Sequence, residues 1–165
     1  MTTASLPAIA VETFANPAAN RMEPYGARRT EILGADALAL AQRELSQWQG
    51  YALTPMHSLP ALAGALNVAC VHYKDEGGRF GLGSFKALGG AYAVARLLCR
   101  ELSARLGRKL TTQDLLTPEL RALCAAFTVT CATDGNHGRS VAWGAQLFGC
   151  QCVIYIHATV SEGRK

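Results

Sequence analysis

Between Phe127 and Ile156 the chain reads as strand, glycine-bearing turn, helix and strand, and few element orders restrict a fold more tightly. Phe127-Thr-Val-Thr-Cys131 and Cys152-Val-Ile-Tyr-Ile156 are β-prone runs. Thr133-Asp-Gly-Asn-His-Gly138 is a tight polar loop, and Ser140 to Phe148 has helical character. Strands joined through a helical crossover pair in parallel, so the expected class is α/β, a parallel sheet with crossover helices. Open sheets of this kind bind ligands outside the carboxyl ends of their strands. Two glycine-rich loops are expected there: Lys74 to Gly83, which leads into Ser84-Phe85-Lys86, and Thr133 to Gly138.

Upstream, Val68-Ala-Cys-Val-His-Tyr73 reads as a short strand, and Ser84 stands where a helix N-cap would. Leu88, Ala91, Tyr92, Ala95, Leu98, Cys99, Leu102 and Leu106 fall within an arc of roughly 120° at helical spacing, while Arg96 and Arg100 lie outside it. Gly107 ends that helix. Thr111 or Thr112 then caps a second helix running to about Ala125, which Pro118 breaks in two. Arg28 to Gln49 is loosely helical with Gly50 as its stop, Tyr51 to Leu59 is turn-like, and residues 1–27 read as an extended arm or a poorly ordered terminus. The organisation expected is an arm and helix over residues 1–50 and an α/β region over 51–165.

Half of the residues are hydrophobic and 17% are charged, which is ample for a packed core. Sixteen Lys and Arg against twelve Asp and Glu give +4, but only four of the basic residues are lysines and the arginines are scattered, so no nucleic-acid footprint emerges. No apolar run reaches membrane-spanning length, and the first 20 residues hold no Lys or Arg for a signal peptide, so a cytoplasmic protein with no membrane partner is expected. The six cysteines form no CxxC pair and have no histidine at ligand spacing, so they are expected to be reduced, mostly buried thiols, with no metal site.

Lys86 is the most informative single residue. A helix start carries partial positive charge and disfavours an ammonium group there unless something else uses it. A Schiff base is one such use, since the amine attacks an aldehyde only after losing its proton; a solvent-pointing lysine without function is the other reading. In the second loop, Gly135 and Gly138 let the backbone approach a ligand, Asn136 can cap a helix or bond an oxygen, and Asp134 brings a carboxylate to the mouth of the sheet. Taken alone, that loop reads as a capped turn between strand and helix, and His137 as a structural hydrogen bonder.

Phe80-Gly-Leu-Gly-Ser-Phe-Lys86-Ala-Leu-Gly-Gly90 resembles the lysine signature of fold-type II pyridoxal-phosphate enzymes, the tryptophan synthase β superfamily. Thr133 to Gly138 is similar to their Asn-containing loop, and the order and spacing of the two also agree. Lys74-Asp-Glu76, Arg79-Phe-Gly-Leu82, Leu88 where dehydratases typically carry arginine, and Asp134 where they carry a small residue resemble the diaminopropionate ammonia-lyase branch. The likeness runs from about Tyr51 onward; Leu53 departs from it, standing where the family commonly has proline.

The resemblance implies pyridoxal 5'-phosphate as cofactor, held by Lys86, Phe85 and Asn136. It implies Lys86 and Asp134 as catalytic bases for the L- and D-isomers, and a small amino-acid substrate bound by Thr133, Asp134, Gly135, Asn136 and His137. The implied reaction eliminates ammonia from 2,3-diaminopropionate to leave pyruvate, in a homodimer. A dehydratase-like or β-replacement enzyme and a non-catalytic interaction module are the alternatives. Family members continue well past the length of this chain, into the phosphate-binding loop and the partner of the pyridine nitrogen, so the chain is expected to be the N-terminal part of a longer enzyme, incomplete in fold and inactive alone.

Overall fold

The computed structural model describes residues 12–20, 22–161 and 163. Contacts divide the chain into two units, Met1–Gly34 and Ala35–Lys165. In the first, the described residues outside the helix carry no helix or strand, and residues 1–11 and 21 of the expected arm lie outside the description. Its helix α1, Ala27–Leu33, buries no residue. Tyr25 Oη donates to the carbonyls of Arg29 and Leu33, and Arg29 pairs with Glu23 at 2.9 Å.

The helix expected from Arg28 to Gln49 is broken at Gly34, where a Cβ would stand 2.4 Å from the Thr30 carbonyl oxygen. The second unit begins with α2, Ala35–Leu45, and the chain adopts positive φ at Gly50 only after two further turns. Strand β1, Met56–Ser58, is followed by α3, Pro60–Leu66, and β2, His72–Lys74. β1 and β2 pair antiparallel, with His57 opposite Tyr73, as a ribbon of their own. This corrects the sequence reading: the stretch taken as a turn holds a strand, and the Val68–Tyr73 run joins an antiparallel ribbon rather than the parallel sheet. Three-residue strands are too short to display an alternation.

A 3-10 turn at Arg79–Gly81 precedes α4, Ala87–Leu106, and another at Asp114–Leu116 precedes α5, Pro118–Cys124. Pro118 does divide that region, but Thr117 caps α5 by accepting from the Leu120 N–H, while Thr111 binds Asp114 instead of starting a helix. The βαβ unit then follows as β3, Thr128–Ala132, α6, Asn136–Phe148, and β4, Gln151–Tyr155. β3 and β4 are parallel, with Val129 opposite Cys152 and Cys131 opposite Ile154. The α/β class is confirmed, with the parallel pairing confined to these two strands among the described residues.

The core sits where α4 crosses α6. Ala91, Val94, Ala95, Leu98, Cys99 and Leu102 from α4 meet Val141, Ala145 and Phe148 from α6 in one buried cluster. Each fully buried Leu or Phe side chain contributes about 1.5–3 kcal/mol by leaving water. The apolar stripe read from the sequence is the buried face of α4, widened by Ala87, Gly90 and Val94, while Leu106 is exposed. Trp48, 2% exposed, donates its indole N–H to Thr112 Oγ1 at 3.2 Å and packs against Phe80, Tyr92, Trp143 and Phe148. All six cysteines are free thiols: Cys99 and Cys124 are buried, Cys131, Cys150 and Cys152 half-buried, and Cys70, against expectation, exposed. Burial pushes the Cys99 thiol up to about 12 and Cys150 up to about 11, which keeps both protonated and poorly nucleophilic at neutral pH.

Candidate active site

The loop before α4 is built around a buried cation. Arg79 Nε meets Glu76 Oε2 at 2.7 Å, Nη2 meets Glu76 Oε1 at 3.0 Å and Thr54 Oγ1 at 3.1 Å, and Nη1 donates to the Ala52 carbonyl at 2.7 Å. Thr54 donates to Glu76, and Lys74 Nζ donates to the Thr54 carbonyl. The Arg79 hydrogen bond pulls the Glu76 carboxyl down to about 2, burial working against it and the Thr54 hydroxyl with it. Phe80 adopts φ 48° and ψ 23°, a left-handed conformation that costs a side-chain-bearing residue about 1–2 kcal/mol. Its ring packs on Trp143, with centroids 4.8 Å apart, and on Trp48 and Tyr51. Gly81 and Gly83, both at positive φ, complete the turn into Ser84.

Lys86 is the N-cap of α4 rather than a member of its first turn, and Ser84, two residues earlier, accepts the Lys86 N–H on its hydroxyl at 3.1 Å. Ser84 thus serves the helix start without being its N-cap, because the helix begins two residues later than a cap at Ser84 would place it. The Lys86 side chain is exposed. Its carbonyl accepts from Gly89 N–H, Gly90 N–H and the Ser140 hydroxyl, which anchors the main chain beneath the free amine.

The second loop is shorter than the sequence suggested. Helix α6 begins at Asn136, four residues before Ser140, so Asn136, His137 and Gly138 form its first turn. The glycines that argued for a loop are there for packing and conformation. Gly135 is the N-cap with φ 71° and ψ −135°, while a Cβ at Gly138 would lie 3.2 Å from Ile154 Cγ2. Thr133 N–H extends the ladder to the Tyr155 carbonyl at 2.9 Å, so Asp134 and Gly135 are the residues that turn from strand to helix.

Lys86, Asp134, Gly135, Asn136, Arg139 and Gly163 line one cavity of about 450 Å³. Residues bearing an amine, a carboxylate, an amide and a guanidinium therefore line it from two segments distant in sequence, within the size range of a small-molecule site. Thr133 lines an adjoining cavity of about 350 Å³ that shares Asp134 and reaches Tyr155 and His157. His137 lines a third, between α4 and β3, and not the one that holds Lys86 and Asn136. Phe85, 61% exposed, follows Ser84 and lines none of these three. Arg139 carried no role in the sequence reading; its position one turn after Gly135, on a helix starting there, is the signal that would have found it. Among the described residues, no group of His, Cys, Asp or Glu side chains is placed to hold a metal ion.

A lysine-bearing helix start facing an Asn-containing turn, at the carboxyl end of a parallel strand, defines a class of protein. The family model described as pyridoxal-phosphate dependent enzyme matches residues 47–165, and the chain belongs to that family. Within it, the chain is similar to diaminopropionate ammonia-lyase. It is 43% identical to that of Salmonella typhimurium over 106 residues, 64% of this chain and 26% of the relative, and 42% identical to that of Escherichia coli over 118 residues, 71% and 28%. Solved structures of the Escherichia coli enzyme, one in its holo form and one in complex with D-serine, superpose with a TM-score of 0.66 at 38% identity. Each match covers 78% of this chain and 32% of that one. The chain thus spans between a quarter and a third of the length of these relatives. The residues at hand fit the aldehyde end of the family's cofactor: an exposed primary amine, an amide beside it, and a glycine at positive φ with no atom within 4 Å of where its Cβ would stand.

Proposed function

We propose that this chain carries the cofactor-lysine part of a pyridoxal-phosphate enzyme that eliminates the β-amino group of 2,3-diaminopropionate as ammonia and, by hydrolysis with one water, yields pyruvate and a second ammonia. The observation that carries the reading is the shared cavity of Lys86, Asp134 and Asn136. Lys86 would hold the cofactor aldehyde through its Nζ, with Phe85 adjoining, and Asn136 would donate its amide to the cofactor's ring oxygen. The bound cofactor supplies the electron sink that lets the α-proton leave. Lys86 Nζ takes that proton from the L-isomer and an Asp134 carboxylate oxygen takes it from the D-isomer. The backbone N–H groups from Asp134 to His137 receive the substrate carboxylate, anions being favoured at a helix start, and Thr133, its own N–H held by the Tyr155 carbonyl, flanks them. We extend the proposal to a cytoplasmic homodimer acting in amino-acid catabolism, on the strength of the family resemblance.

The test is covalent trapping. The protein is incubated with pyridoxal phosphate and reduced with borohydride, and the phosphopyridoxyl peptide is mapped by mass spectrometry. An adduct concentrated on Lys86 and lost in Lys86→Ala is expected; labelling spread evenly over the four lysines would overturn the assignment. Turnover of D- and L-2,3-diaminopropionate by an enzyme that extends this chain to the length of its relatives, with L-threonine as the competing substrate, tests the specificity.

A further inference from the structure

Ser140 is 1% exposed, in the second turn of α6, and none of the roles above uses it. Its hydroxyl donates to the Lys86 carbonyl at 2.6 Å and accepts the Ala91 N–H at 3.1 Å. A serine within a helix ordinarily turns its hydroxyl back to its own helix or out to water. Here both bonds leave α6 for the start of α4, spanning 54 and 49 residues of sequence. Space is made for it: a Cβ at Gly90 would stand 2.5 Å from Ser140 Oγ, and one turn along α6 a Cβ at Gly144 would stand 2.7 Å from the Ala91 Cα. The hydroxyl thus lies in a close contact between the helix that presents Lys86 and the helix that begins with Asn136.

We infer that Ser140 is the positioning residue of this site, fixing the Lys86 backbone against the Asp134–Asn136 turn so that amine, carboxylate and amide open on one cavity. A displacement near 1 Å at such a place costs up to about a hundredfold in reactivity, and one short hydrogen bond to the lysine's own carbonyl governs displacements of that order. The inference rests on Lys86 being the cofactor lysine.

The readout is the ratio of phosphopyridoxyl adduct on Lys86 to that on Lys74 and Lys109, measured with limiting pyridoxal phosphate alongside the melting temperature. Ser140→Ala is expected to lower the ratio about tenfold, and Ser140→Thr, which keeps the hydroxyl, to restore it. Ala145→Gly, a buried change in the same helix away from Lys86, is expected to lower the melting temperature and leave the ratio intact. Ser140→Cys, similar in volume but a weak donor, should give an intermediate ratio and replaces the alanine variant if that one does not fold. A wild-type ratio in Ser140→Ala or Ser140→Cys overturns the inference while leaving Lys86 as the cofactor lysine. So does an equal loss in Ala145→Gly, which would make the effect one of stability alone. A wild-type protein with no preference for Lys86 overturns the cofactor assignment itself, and this inference with it.

Discussion

Asp134 and Glu76 are two carboxylates set to different work by their surroundings. Asp134 lines the cavity with Lys86, whereas Glu76 is locked under Arg79. On the proposed reading, in an enzyme that extends this chain to the length of its relatives, Asp134→Asn should depress turnover of the D-isomer by at least about a hundredfold, as expected for loss of a proton-transferring group, and leave the L-isomer largely untouched. Separate kinetics on the two isomers check this. For Glu76 the sign is set by its lowered value: the carboxylate is favoured in the fold, so its stabilisation is fully present above the ordinary value of 4.5 and is lost as pH falls toward about 2. Glu76→Gln should flatten the acid limb of the stability curve over that window. Arg79→Ala, which strands a mostly buried carboxylate, should cost about 3 kcal/mol in chemical denaturation. Lys86, Asp134 and Asn136 were legible because their neighbours form motifs. Arg79 pairs locally with Glu76, but its anchor at the Ala52 carbonyl and the Lys86 carbonyl that Ser140 touches lie 27 and 54 residues away, so the packing of both was legible only in identity.

Helices α4 and α6 owe their closeness to residues with little or no side chain. Gly144→Val should force them apart and cost about 1–3 kcal/mol, the usual price of overpacking, seen as a lowered melting temperature without change of secondary structure. The same pair shows what a pattern can and cannot disclose. α4 was readable over nearly its whole length because eight apolar residues keep helical phase, and only its N-cap shifted, from Ser84 to Lys86. α6 was read four residues short because Gly135 and Gly138 mimic a loop, although their task is a positive φ and a close contact with Ile154. β1 escaped because three residues, all exposed, carry no burial signal; it is defined by its partner β2.

In the unit from Ala35 to Lys165, the β3–β4 pair has no further strand on either side among the described residues, and Val153, Tyr155 and Ile156 are exposed beside it. Edges and apolar surface of this kind invite association. The chain by itself should bind the dye ANS and self-associate with rising concentration, and Tyr155→Lys should reduce both; sedimentation and dye fluorescence provide the check. A monodisperse, dye-silent chain would contradict this. The parallel class was readable because one βαβ unit is enough to imply it, whereas the number of strands was not, since pairing depends on segments far apart in sequence.

The strained turn at Phe80 has an optical consequence. Its ring lies against both tryptophans of the molecule, Trp48 and Trp143, while its backbone leads within six residues to Lys86. The loop that carries the lysine runs directly out of that aromatic contact, so tryptophan emission and near-ultraviolet dichroism are expected to register the state of the lysine loop without an added label.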